Sequence, residues 1–139
     1  MISYLDTSAA LKLLIEEVES TSIADHLNRA LDAGRDIVSS MLLFTELHCA
    51  AARRGGISED AVNSVLDVVA LVDLDRADLT RAATSAWGLR SADAIHLAAA
   101  LRLDVDTMLT YDVELARTAR RAGIRVEAPA PSTQPRSPE

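Results

Sequence analysis

SYLDTSAA, residues 3–10, is an apolar run that climbs straight into an acid, Asp6, then meets two hydroxyls, Thr7 and Ser8, before a helical pattern begins. One explanation for a short buried strand that ends this way is capping. Asp, Ser and Thr side chains all accept hydrogen bonds from the free N–H groups of a helix's first turn. The other explanation requires further carboxylates to arrive at the same place, and the rest of the chain has to supply them.

Outward from this junction, strand and helix patterns alternate. Residues 2–6, 36–40, 70–74, 105–112 and 124–128 read as short strands, the second and third with the weakest patterning. Helical spacing covers 7–16, 20–33, 41–54, a stretch capped by Ser58, a stretch capped by Asp75, 91–103 starting at the cap Ser91, and 113–123. Gly34 and Gly123 stand where helices stop. The spacing of Leu79, Ala82, Ala83, Ala86 and Trp87 places them on one side of the Asp75 helix, which makes Trp87 a core residue. Strands separated by helices predict an α/β fold: a three-layer α/β/α sandwich around a central parallel sheet of four to five short strands. In such sheets ligands bind beyond the C-terminal ends of the strands.

The 139 residues suit one domain, expected over 1–128. All four prolines fall in 129–139, so this segment is expected to be a disordered Pro-rich tail. The single cysteine, Cys49, rules out an internal disulfide and is expected to be a small buried residue. The start of the chain lacks a signal-peptide pattern, and no run of 18 apolar residues could span a membrane, so a cytoplasmic location is expected. A net charge of −7 argues against a general nucleic-acid-coating protein, although not against local binding of RNA. Arg117, Arg120, Arg121 and Arg125 form either a solvated helix face or a phosphate-contacting rim.

Four acids stand out. Asp6 and Asp112 both occupy strand-to-helix junctions, which a parallel sheet would place on one edge. Glu46 lies in the apolar helix MLLFTELHCAAARR, where Leu42, Leu43, Cys49 and Ala50 at helical spacing offer no ion pair. It therefore sits on a narrow exposed strip or faces a cation. Asp93, in SADAIHLAAAL, falls in the first turn of a helix, where an acid complements the dipole. Each acid alone has a structural explanation. Together they conflict, since two like charges ~4 Å apart repel by about 4 kcal/mol at an effective dielectric near 20. A hard divalent cation removes that conflict, and it supports hydrolysis of a phosphodiester without a catalytic His, Cys or Lys. His96, three residues beyond Asp93, reads as a core or surface histidine, with a hydrogen bond to the acids as the other option.

The segments YLDTSA, SSMLLFTE, RSADAIHLAAAL and LTYDVELARTARRAGI occur in the order of the motifs of PIN-domain ribonucleases, and over residues 1–127 the chain resembles the VapC toxins of type II toxin–antitoxin pairs. The resemblance implies that Asp6, Glu46, Asp93 and Asp112 are catalytic acids around Mg²⁺ or Mn²⁺. Asp6 and Asp93 would be direct ligands, while Glu46 and Asp112 would bind directly or through water. Thr7, Ser8 and Thr110 would be supporting polar groups. It further implies endonucleolytic cleavage of RNA by metal-activated water, a homodimer, and a VapB-type antitoxin covering the site.

Two other classes compete. A phosphotransfer enzyme on a similar sheet would need Asp-x-Asp after the first strand, where Ser8 stands instead of the second Asp, or a Lys after the last strand, whereas the one lysine is Lys12. A catalytically idle binding module would have no need of the full acid set.

Overall fold

In the computed structural model, which describes residues 1–132, β1 (Ile2–Leu5) runs through the middle of a five-stranded sheet. It is followed by α1 (Thr7–Leu11), α2 (Ser20–Asp32), β2 (Asp36–Ser40), α3 (Met41–Arg54), α4 (Glu59–Leu66) and β3 (Ala70–Val72). Then come α5 (Arg76–Thr84), α6 (Ser91–Arg102), β4 (Thr107–Leu109), α7 (Val113–Arg121) and β5 (Arg125–Glu127). The strand order is β3-β2-β1-β4-β5 and every pairing is parallel, as the alternation of elements predicts.

Side chains alternate across the sheet with the strand period of two. Leu5 and Leu109 point into one apolar layer with Ala9, Ile23, Leu43, Leu47 and Val62 from α1 to α4. Their neighbours Tyr4 and Met108 point into the opposite layer, against Leu97, Ala100, Leu115 and Ala119 of α6 and α7. Two layers of helices therefore cover both faces. In α6 the run from His96 to Ala100 is buried, and its alanines let the helix lie close against the sheet.

The chain builds outward from β1 to β2 and β3, then returns to the other side of β1 for β4 and β5. The order thus reverses between β1 and β4, and the C-terminal ends of these two strands open the crevice where doubly wound sheets bind ligands.

Several local expectations need correction. The helix expected over 7–16 stops at Leu11. Ser20 takes over the backbone there, its Oγ accepting from Glu17 N–H and donating to Ile15 C=O, which favours a turn over further helix. α5 ends at Thr84, so Trp87 lies on a loop rather than on a helical stripe. Positive φ at Ala86 (55°) and Gly88 (73°) breaks the helical period, and Trp87 is only partly buried against the α6/α7 layer. Leu79, expected on the buried stripe, is 49% exposed. Arg90, not Ser91, is the N-cap of α6, and no side chain caps that helix. Cys49 is exposed. Of the tail expected over 129–139, residues 133–139 lie outside the described residues; Tyr111 Oη donates to the carbonyl of Pro129 where the segment begins.

Candidate active site

Asp6 follows directly on β1, and its backbone N–H donates to the Leu109 carbonyl of β4, which ties the junction to the crevice. The carboxylate is 2% exposed and its two oxygens have different surroundings. Oδ2 accepts from Ser8 Oγ at 2.6 Å, Thr110 Oγ1 at 2.8 Å and Ser8 N at 3.3 Å. Oδ1 accepts none of these bonds; its neighbour His96 Nε2 is 3.9 Å away, beyond hydrogen-bond length. Asp6 is therefore the cap the sequence allows, with one oxygen left over for another partner.

Ser8 Oγ also accepts from Tyr111 N at 2.9 Å, and Thr110 Oγ1 accepts from Asp112 N at 3.1 Å. The two hydroxyls thus link the β1 and β4 junctions. Asp112 caps α7, its Oδ1 accepting from Leu115 N at 2.8 Å. It shares the pattern of Asp6: one oxygen is held by the fold and the other is not used by the cap.

Glu46 resolves in a way that its own helix did not reveal. Its partners come from other elements. Oε1 accepts from Thr7 Oγ1 of α1 at 2.7 Å and lies 2.6 Å from His96 Nε2 of α6. Burial acts to raise the Glu46 carboxyl, but the hydrogen bonds from His96 and Thr7 outweigh it, so its pKa falls below the usual value. His96 is wholly buried, and its Nδ1 lies 2.7 Å from the Tyr4 hydroxyl. The hydrogen bond to an acid is the lesser of the two options that the sequence offers for His96, and the strand pattern gives no sign of a role for Tyr4. The available signal was a polar ring three residues from Asp93 within a run of alanines.

Asp93 is partly buried in the first turn of α6. Burial, followed by the charges of Asp112, Asp6 and Glu46, pushes its pKa up to about 6 against a smaller opposing effect of His96. Asp93 thus senses the other three acids through space. The other three acids lie near enough to Asp93 for their charges to act on it.

The same crevice sits within a wider likeness. The family described as "PIN domain" matches residues 3–121. Ribonuclease VapC46 of Mycobacterium tuberculosis is 37% identical over 130 residues, spanning 91% of this chain and 97% of the relative. The chain belongs to the PIN-domain family, among the VapC ribonucleases. Solved VapC structures share the fold at lower identity. One is VapBC2 of Rickettsia felis bound to a promoter DNA fragment, with a TM-score of 0.69 and 16% identity over 91% of this chain and 98% of that one. Another is M. tuberculosis VapC20, described as a sarcin-ricin loop cleaving toxin, with a TM-score of 0.66 and 15% identity over 88% and 95%.

The donors of this PIN-domain crevice are hard oxygens, which suit Mg²⁺ or Mn²⁺ better than softer metals. Among the described residues no three His, Cys, Asp or Glu side chains close into a ready-made cage. An open edge with spare carboxylate oxygens fits a cation that takes one or two protein carboxylates and keeps the rest of its shell for water and phosphate.

Proposed function

We propose that this chain is the toxin of a type II toxin–antitoxin pair and hydrolyses RNA as a divalent-metal-dependent endoribonuclease. The observation that carries the reading is the division of labour within Asp6: Oδ2 is held by Ser8 and Thr110, Oδ1 takes part in neither bond, and the charges of Asp6, Glu46 and Asp112 all act on Asp93. Its support in kind is the 37% identity to a VapC ribonuclease over nearly the whole chain.

In this reading Asp6 and Asp93 hold Mg²⁺ or Mn²⁺ directly, and Glu46 and Asp112 bind it directly or through water. When bound, the cation polarises a phosphodiester and lowers the pKa of a water molecule. The chain supplies placement. Ser8 and Thr110 fix Asp6, Thr7 fixes Glu46, and the α7 cap fixes Asp112. Burial first, then the charges of Asp112, Asp6 and Glu46, raise the pKa of Asp93, and a bound cation would relieve the charge part.

The catalytic unit in this reading is residues 1–128, acting as a homodimer in the cytoplasm, with a VapB-type antitoxin as partner and the Pro-rich segment 129–139 outside it. Among the described residues no helix is long and apolar enough to cross a membrane. The phosphotransfer alternative lacks its second carboxylate: Ser8 stands there and donates to Asp6. The idle-module alternative leaves the spare oxygens of Asp6 and Glu46 without a purpose.

The test is cleavage of total RNA by purified protein. We expect cleavage with Mg²⁺ or Mn²⁺, none in EDTA, and none from a folded Asp93→Asn variant. Undiminished cleavage by that variant would overturn the role of Asp93, and cleavage in EDTA would overturn the metal.

A further inference from the structure

His96 has no exposed surface, yet both of its ring nitrogens meet polar atoms from different parts of the fold. A leucine would fill this position in α6, and a buried imidazole is costly unless both nitrogens are satisfied. The bonding partners decide which nitrogen carries the proton. Glu46 Oε1 already accepts from Thr7 Oγ1, and a carboxylate oxygen accepts, so the 2.6 Å contact is made with Nε2–H as donor. With Nε2–H directed to Glu46, Nδ1 lies 2.7 Å from the Tyr4 hydroxyl, which can donate to it. Tyr4 is itself fully buried on central strand β1, with its ring edge-on to the imidazole at 5.6 Å. Burial, opposed by the neighbouring Ser40 and Ser39 hydroxyls, holds the phenol protonated, with its pKa raised to about 12.

We propose that His96 is a positioning residue for Glu46: the Tyr4 O–H holds the imidazole in its Nε2–H form, which, with Thr7, pins Glu46 Oε1 and leaves Oε2 directed to the crevice. The consequence for metal and RNA rests on the ribonuclease reading above; the hydrogen-bond chain Tyr4–His96–Glu46 does not. The chain joins β1, α6 and α3, so the orientation of one site acid is set by the packing of three elements. A flexible Glu would otherwise lose rotamer freedom each time it engaged a ligand.

Long-range ¹H–¹⁵N NMR of the metal-free full chain reads the tautomer directly. We expect Nε2–H in the wild type and a mixed or reversed tautomer in Tyr4→Phe, which keeps the ring and removes only the hydroxyl. An Nδ1–H wild-type ring would overturn the proposal whatever the enzyme does. Calorimetric Mn²⁺ titration and RNA kinetics then test the consequence. His96→Leu should weaken Mn²⁺ binding and lower kcat by about 10–100-fold, the usual range for a lost outer partner of a ligand, with KM for RNA unchanged. His96→Gln, which retains an N–H donor, should recover most of the loss. In an E46Q background, His96→Leu should weaken Mn²⁺ binding no further. An equal additional loss there, or wild-type Mn²⁺ affinity in both His96→Leu and Tyr4→Phe, would overturn the positioning role. If wild-type protein neither binds Mn²⁺ nor cleaves RNA, the ribonuclease reading falls and the NMR result alone decides the hydrogen-bond chain.

Discussion

Thr110 Oγ1 donates a 2.8 Å hydrogen bond to Asp6 Oδ2, joining the ends of the two strands between which the sheet reverses its order. The same hydroxyl accepts from the backbone of Asp112, so one buried oxygen sets the relative position of two site acids. Thr110→Val keeps the shape and removes both bonds. It should lower stability by about 1–3 kcal/mol, the cost of unpaired buried polar groups, as read by urea unfolding. RNA cleavage should fall by about tenfold or more, because Asp6 loses a fixed partner. A Thr110→Ser variant that retains both bonds should restore most of the rate.

Asp112 tests whether capping and chemistry can be separated. Asn is about as good an N-cap as Asp, so Asp112→Asn should preserve the bond to Leu115 N and leave the melting temperature nearly unchanged. Cleavage should nevertheless collapse. A variant that lost stability and kept its rate would show that the residue serves α7 alone.

Asp93 makes the metal-free protein sensitive to pH in a defined direction. Its folded pKa of about 6 lies above the ordinary value of 3.8, so between these limits the folded state binds more protons than the unfolded state. Stability contributed by the protonated acid is complete below the unfolded value and is lost as pH rises to about 6 and beyond. In EDTA, the wild type should therefore melt higher near pH 5 than its other groups alone would dictate, and Asp93→Asn should flatten this part of the profile. At pH 7 the variant should be at least as stable as the wild type. Saturating Mn²⁺ should stabilise the wild type, by about 2.7 kcal/mol at 100 times its Kd, and should not stabilise the variant to that extent.

Arg102 supports the fold at a distance from this chemistry. Its Nε and Nη2 donate to the buried Asp78 at 2.8 and 2.9 Å, and Asp78 also completes a capping box with Asp75 at the start of α5. Burial acts to raise the Asp78 carboxyl, but Arg102 and the Asp75 backbone outweigh it and its pKa falls. Arg102→Met strands a buried carboxylate and should cost about 3 kcal/mol in chemical denaturation. Cleavage per folded molecule should be unchanged.

Much of this fold was legible because its signals are local. Periodicity located the strands and most helices, Ser58 and Asp75 cap as their types suggest, and Gly34 ends α2 at a φ of 75° that a side chain resists. The failures were local patterns overridden by neighbours. Ser20 bends the backbone where apolar spacing continued a helix, and positive φ at Ala86 takes Trp87 off its stripe. Glu46 shows the limit most clearly, since its partners Thr7 and His96 are distant in sequence and invisible from its own helix.

By itself, the sequence determined an α/β chain carrying Asp6, Glu46, Asp93 and Asp112 at the positions that a shared motif order marks, because residue type and period act over a few neighbours. Only the tertiary structure decided which oxygen of Asp6, Glu46 and Asp112 is tied down and by what. Parallel pairing of β1 with β4 brings Thr110 to Asp6, and packing of α6 against the sheet brings His96 between Tyr4 and Glu46. Hydrogen bonds of under 3 Å depend on the meeting of distant elements, and no local pattern encodes that meeting.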